Sequence, residues 1–228
     1  MTSITAIIPG AGSGTRFGSD ENKIFAKISE KPIFLHTLAA FAKHPQVSQL
    51  IFVVSETDRP KFQQTFGSEL EALGVTLVTG GATRTESIRN ALAVVNENVD
   101  LVAVHDAARP CIAQPWLDRV FQTALEKSAA LLAQRIFGTV KLGAGDYVAS
   151  TLDRSRFSEI YEAQTPQVFK RELIMRAYQT GRGATDSASL VEAIGQRVAL
   201  ASGDPRNIKI TTPADLEFAR QIFDTLPE

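Results

Sequence analysis

The chain has 228 residues, of which 44% are hydrophobic and 21% charged, and its formal net charge is -1 at pH 7. This is the balance of a globular enzyme with a sizeable core in a single domain, and it offers no basic face for nucleic acid or an anionic membrane. One cysteine, Cys111, excludes an internal disulfide and suits a reducing cytoplasm; with only three histidines beside it, a closed zinc site is excluded too.

Residues 4–9 form a near-continuous apolar run, read as a strand covered on both faces. With neither a basic leader nor a long apolar segment, no signal peptide, transit peptide or transmembrane helix is expected. Further strands are expected at 50–55, 75–78, 100–105, 130–136, 197–201 and 208–210. Helical patterns lie between them at 32–43, 58–73, 84–96, 115–128, 171–180, 186–194 and 213–225. Pro32, Pro115 and Pro213 suit first helical turns and Gly195 a C-terminal stop. The alternation predicts an α/β sheet with its ligand crevice at the carboxyl ends of the strands. Residues 138–160 break the rhythm with two short β-like runs around G-A-G-D, a β-hairpin arm without a core of its own. Such an arm lies on its own domain or reaches a second subunit.

The stretch I-I-P-G-A-G-S-G-T-R-F-G (residues 7–18) brings backbone close to a phosphate. It fails the dinucleotide pattern G-x-G-x-x-G, because the third glycine position falls on Thr15 or Phe17. It fails the P-loop pattern as well, because no Lys-Ser/Thr pair follows Gly14 or Gly18. A loop carrying Gly10, Ala11, Gly12, Gly14, Arg16 and Lys23 can instead wrap a triphosphate with backbone amides and two cations. The plain alternative is a glycine turn with solvated cations.

H-D-A-A-R-P (105–110) places Asp106 at a carboxyl strand end, where a carboxylate holds Mg²⁺ or caps a turn. Arg109 grips a phosphate or is a surface charge, His105 reads as a packed strand-end histidine, and Cys111 as a small buried thiol. G-G-A-T-R-T-E-S-I (80–88) is a second glycine turn before a helix, with Thr83 and Glu86 at capping-box spacing. Ala163–Gln167 reads as an extended X-Pro turn and Thr185–Ser189 as a helix N-terminus suited to an anion. No Ser-His or Cys-His nucleophile pair is evident.

These motifs, with N-K-I-F, L-D-R, Q-T-P-Q and N-I-K-I-T, follow one another in order from residue 7 to residue 211. In that order and spacing the chain resembles the 2-C-methyl-D-erythritol 4-phosphate cytidylyltransferases of the non-mevalonate isoprenoid pathway. The resemblance implies a Rossmann-like three-layer fold with a mixed, mostly parallel sheet and a protruding dimerisation arm. It implies CTP and methylerythritol phosphate as substrates, Mg²⁺ as cofactor, pyrophosphate as by-product and a cytoplasmic homodimer. Carried over by residue, Arg16 and Lys23 would stabilise charge on the α-phosphate, and Gly10, Ala11, Gly12 and Gly14 would line the nucleotide. Gly80, Gly81 and Ser87 would contact the cytidine side, and Asp106 would hold Mg²⁺. Arg154 and Lys209 would position methylerythritol phosphate, with Arg109, Thr139, Thr165 and Thr185 completing that pocket.

The sequence departs from common family residues at Gly10, Asn22, Ala82 and Gly138. The first two changes are expected to be harmless, Ala82 to weaken a nucleotide contact, and Gly138 to alter the geometry around Thr139. A ribitol 5-phosphate cytidylyltransferase is the nearest rival, and a nicotinamide oxidoreductase the rival from another class.

Overall fold

The computed structural model describes residues 2–12, 22–153, 155, 159–181 and 183–228. Strand β1 (Ile4–Pro9) is followed, after the glycine loop, by a single 3₁₀ turn at Lys23–Phe25. Two short strands, β2 (Lys27–Ile28) and β3 (Lys31–Pro32), lead into α1 (Ile33–Ala42), β4 (Val47–Val54), α2 (Arg59–Ala72), β5 (Val75–Thr79) and α3 (Arg84–Leu92). Then come β6 (Leu101–Val104), α4 (Gln114–Lys127), β7 (Ala129–Arg135) and a hairpin of β8 (Lys141–Ala144) and β9 (Tyr147–Thr151). The chain closes with β10 (Tyr161–Lys170), α5 (Arg171–Gln179), α6 (Ser187–Ala193), β11 (Ala199–Ser202) and α7 (Pro213–Ile222).

Seven strands build one sheet in the order β11-β7-β10-β6-β1-β4-β5. β10 runs antiparallel to β6 and β7, while the remaining neighbours pair in parallel. The sheet is therefore the α/β sheet expected from the alternation of elements, and mixed and mostly parallel as the family resemblance implied. Alternate residues of each central strand feed opposite faces, as the pleat requires. Ile8, Phe52 and Ala103 meet α1, α2, α4 and α7, whereas Ile7, Val53 and Val104 meet α3, α5 and α6. Three layers result. Among the described residues no helix is long and apolar enough to cross a membrane.

An aromatic cluster lies beneath Gly10, which sits against the Phe52 ring. Phe25 stacks on Phe62 with ring centroids 5.0 Å apart, and Phe34 stacks on Phe52 at 5.4 Å. Burying a phenylalanine stabilises by about 1.5–3 kcal/mol, so the cluster is a firm anchor. Ile24 and Phe25 are both buried, which pins the turn that begins with Lys23. Asn22 fastens the same end: its amide donates to the Gly10 carbonyl at 3.3 Å and its oxygen accepts from the Ile24 N–H.

The structure corrects several sequence expectations. Residues 208–210 form no strand; the segment is held by the Ile210 N–H donating to the Ala108 carbonyl at 2.8 Å. The Ala163–Gln167 stretch is no free turn but the middle of β10, where the register shifts and the Thr165–Pro166 peptide is cis. α3 ends at Leu92, four residues earlier than the pattern over 84–96 implied. Pro32 precedes α1 as its N-cap rather than lying inside its first turn. The expected hairpin is present, and every residue of its two strands is exposed.

Candidate active site

The carboxyl ends of β1, β5 and β6 open onto one cavity of about 520 Å³. The glycine loop enters through Gly10, Ala11 and Gly12, the 3₁₀ turn supplies Lys23, the second glycine turn supplies Gly81 to Arg84 and Ser87, and Asp106 and Lys209 close the far wall. Gly10 is needed where it stands, because a Cβ there would lie 2.5 Å from the Phe52 ring and 3.2 Å from Ile24. Its N–H is held by the Val53 carbonyl at 2.7 Å. Gly80 lies just behind the wall, where a Cβ would meet Ser87 Oγ at 2.8 Å and Ala11 Cβ at 2.9 Å. Ser87 is buried, and its hydroxyl accepts the Gly81 N–H at 3.1 Å, which folds the turn toward the cavity. The Thr83–Glu86 capping box forms as its spacing implied and starts α3 at the cavity edge.

Asp106 is the charged centre. Lys209 Nζ lies 2.8 Å from Oδ2, Arg84 lies 3.8 Å from Oδ1 and Arg109 Nε lies 3.9 Å from Oδ2. Burial works against the carboxylate, but Lys209, Arg84 and Arg109 hold its pKa down at about 2. One anion among three cations leaves a net positive cavity wall, which suits a polyanion. Arg84 carries no role in the sequence reading, although it stands inside the G-G-x-x-R-x-x-S motif. It occupies the first position of α3, and its charge is also felt by Asp186.

Behind this wall the elements are tied together by polar side chains. Arg109 is buried and donates to the Asn207 carbonyl at 2.7 Å. Asn207 donates to the Thr165 carbonyl at 2.8 Å. The Asp106 N–H donates to Thr165 Oγ1 at 3.2 Å, and Thr165 Oγ1 lies 3.0 Å from His105 Nδ1. Burial pushes the His105 imidazole down to about 4, so it is neutral at physiological pH. Burial pushes the Cys111 thiol up to about 12, the behaviour of an inert packed cysteine rather than a nucleophile.

A family model described as IspD, 2-C-methyl-D-erythritol 4-phosphate cytidylyltransferase, matches residues 4–225. The chain belongs to this family. A relative so named from Rhodopirellula baltica is 42% identical, over 97% of this chain and 95% of that protein. Another from Endomicrobium trichonymphae is 40% identical, over 96% of this chain and 97% of that protein. The crystal structure of a 4-diphosphocytidyl-2C-methyl-D-erythritol synthase superimposes with a TM-score of 0.82 at 31% identity, covering 98% of this chain and all of that one. The Thermus thermophilus cytidylyltransferase gives 0.80 at 28% identity, covering 98% of this chain.

For a cytidylyltransferase, the sequence-derived residues divide into clear groups. Gly10, Ala11, Gly12, Lys23, Gly81, Ser87, Asp106 and Lys209 line one cavity. Gly80, Arg109 and Thr165 stand directly behind its wall. Thr139 is exposed at the base of the arm and Thr185 is exposed before α6; neither lines the cavity. Gly14, Arg16 and Arg154 lie outside the described residues.

Proposed function

We propose that this cavity transfers the cytidylyl group of CTP to 2-C-methyl-D-erythritol 4-phosphate, forming 4-diphosphocytidyl-2-C-methyl-D-erythritol and pyrophosphate. The observation that carries the reading is the convergence of both glycine turns, Lys23, Asp106 and Lys209 on one cavity. An oxygen of the acceptor phosphate attacks the α-phosphorus, and the bond to the β-phosphate bridging oxygen breaks. The electron pair of that bond leaves with pyrophosphate. The attacking oxygen is already ionised, so no general base is required. The absence of a nucleophile pair from the sequence agrees with this. What the protein supplies is orientation and charge stabilisation. Gly10, Ala11, Gly12 and Gly81 line the nucleotide side, Lys23 with Arg16 offsets the charge growing on the α-phosphate, and Lys209 with Arg154 holds the acceptor phosphate.

Among the described residues there is no cluster of three metal-ligating side chains. A single carboxylate, Asp106, fits Mg²⁺, which binds through one or two carboxylates with substrate phosphates and water as its other ligands. Bound there, the ion would neutralise triphosphate charge. The arm is the seat of a second copy in this reading. Phe137 and Tyr147 are 75% and 83% exposed, and an apolar patch of this kind marks an interface. A homodimer through the arm would bring Thr139 and Arg154 toward the partner's cavity. The single buried cysteine suits a reducing cytoplasm.

The test is pyrophosphate release from CTP across a panel of sugar-alcohol phosphates with Mg²⁺. Methylerythritol phosphate is expected to support release far better than ribitol 5-phosphate. The reverse order would overturn the acceptor assignment, and dependence on a nicotinamide instead of CTP would overturn the class.

A further inference from the structure

His105 directly follows β6 and is fully buried, and its ring is linked to both ends of the Asp106–Arg109 loop, to Arg109 directly and to Asp106 through Thr165. At one end Nε2 lies 3.0 Å from the Arg109 carbonyl oxygen. A carbonyl only accepts, so in the neutral ring Nε2 carries the proton and Nδ1 carries a lone pair. Nδ1 therefore accepts from the Thr165 hydroxyl at 3.0 Å. The oxygen of that hydroxyl in turn accepts the Asp106 N–H at 3.2 Å. The hydrogen bonds run one way, from the Asp106 amide through Thr165 to His105, and from His105 to the Arg109 carbonyl. The only proton of the Thr165 hydroxyl is committed inside the wall. Other ties fix the loop's middle: the Ala107 carbonyl meets the Thr37 hydroxyl at 3.0 Å and the Ala108 carbonyl meets the Ile210 N–H at 2.8 Å. The Asp106 carboxylate is the charged group that the loop presents to the cavity, beside Ala107 and Ala108.

We propose that His105 is a positioning residue for cytidylyl transfer: its link through Thr165 holds the Asp106 end of the loop and so aims Asp106 into the cavity, while its bond to the Arg109 carbonyl fixes the ring and its tautomer. This rests on the reading of that cavity as the reaction site. The ring packs against Phe41 with centroids 5.0 Å apart, so a bulk-only role is the competing explanation. The two roles separate by substitution. Asparagine places an amide atom where Nδ1 stood and can keep the Thr165 link, whereas glutamine reaches the Nε2 position and keeps only the Arg109 link.

The experiment measures kcat and KM for CTP in His105→Asn, His105→Gln, Thr165→Val and the His105→Gln/Thr165→Val double variant. It is paired with nitrogen-15 shifts of the His105 ring in the wild-type protein. His105→Gln is expected to lower kcat about tenfold, the scale of one lost buried hydrogen bond, with KM for CTP changed by less than about twofold. His105→Asn should recover most of that loss, and the double variant should be little worse than Thr165→Val, because both break the same link. Equal kcat in the asparagine and glutamine variants, or full additivity in the double variant, would overturn the proposal. The nitrogen-15 spectrum must show a protonated Nε2 and a bare Nδ1; the opposite tautomer would overturn the chain of bonds in folded protein of whatever activity. If the wild type transfers no cytidylyl group, the reaction reading fails, and the tautomer still decides the geometry.

Discussion

Arg84 stands at the first position of α3, where the positive end of a helix disfavours a cation. A cation placed against that preference needs a counter-charge, and Asp106 at 3.8 Å provides it. The motif around Arg84 was visible in the sequence, but its partner was not, because Asp106 arrives from another strand end. The same limit applied to Asn207 and His105, whose partners lie 98 and 60 positions away in the chain. By contrast, Gly10, Ser87 and Asp106 were marked as candidates by local pattern, at glycine turns or a strand end, and they and Lys209 took their roles only from the ordered resemblance. Replacing Arg84 with alanine should lower kcat/KM for CTP by about tenfold or more, the range of a lost charged partner worth ~1.5–3 kcal/mol. KM for methylerythritol phosphate should change less. Steady-state kinetics with each substrate varied in turn checks this, and an unchanged kcat/KM for CTP would remove Arg84 from the nucleotide side.

The elements most easily read were those whose pattern repeats. β1, β6 and residues 50–54 of β4 are near-continuous apolar runs buried on both faces, and α4 and α7 start with proline in the first turn. β10 was missed because Y-E-A-Q-T-P-Q-V-F-K carries polar residues and a proline in its middle, which normally argues against a central strand. It stands there because its polar side chains have work in the wall: Gln167 accepts the N–H groups of Ser187 and Ala188, and Thr165 takes the Asp106 amide. Residues 208–210 were misread for the opposite reason, since I-K-I alternates like a strand but has no ladder to join. The glycine loop shows how an element depends on packing beneath it. Gly10→Ala should destabilise the fold by about 1–3 kcal/mol through collision with Phe52. Urea denaturation should show the loss, and Gly10→Ala/Phe52→Leu should recover part of it. A Gly10→Ala protein as stable as the wild type would mean that the ring yields freely.

For the molecule as a whole, the three-layer sheet and the arm have different status. The sheet buries its own faces and needs nothing further. The arm exposes Phe137, Leu142, Tyr147 and Val148, with the Arg135 guanidinium 5.2 Å from the centre of the Phe137 ring. Sedimentation at micromolar concentration should show a dimer, and Tyr147→Asp with Val148→Asp should shift it toward monomer and lower turnover. A wild-type monomer under those conditions would leave the cavity to be completed within one chain.

In the proposed reaction this cavity moves the cytidylyl group of CTP by electrostatic positioning, with Lys23 among its donors. The direct measurement follows CTP labelled at the α-phosphorus in the presence of methylerythritol phosphate, for the wild type and Lys23→Ala. The label should pass into the methylerythritol adduct, and Lys23→Ala should slow that transfer by on the order of 10²-fold, the effect of removing one transition-state donor. Label that never joins the acceptor, or a Lys23→Ala enzyme that transfers it at the wild-type rate, would contradict the account.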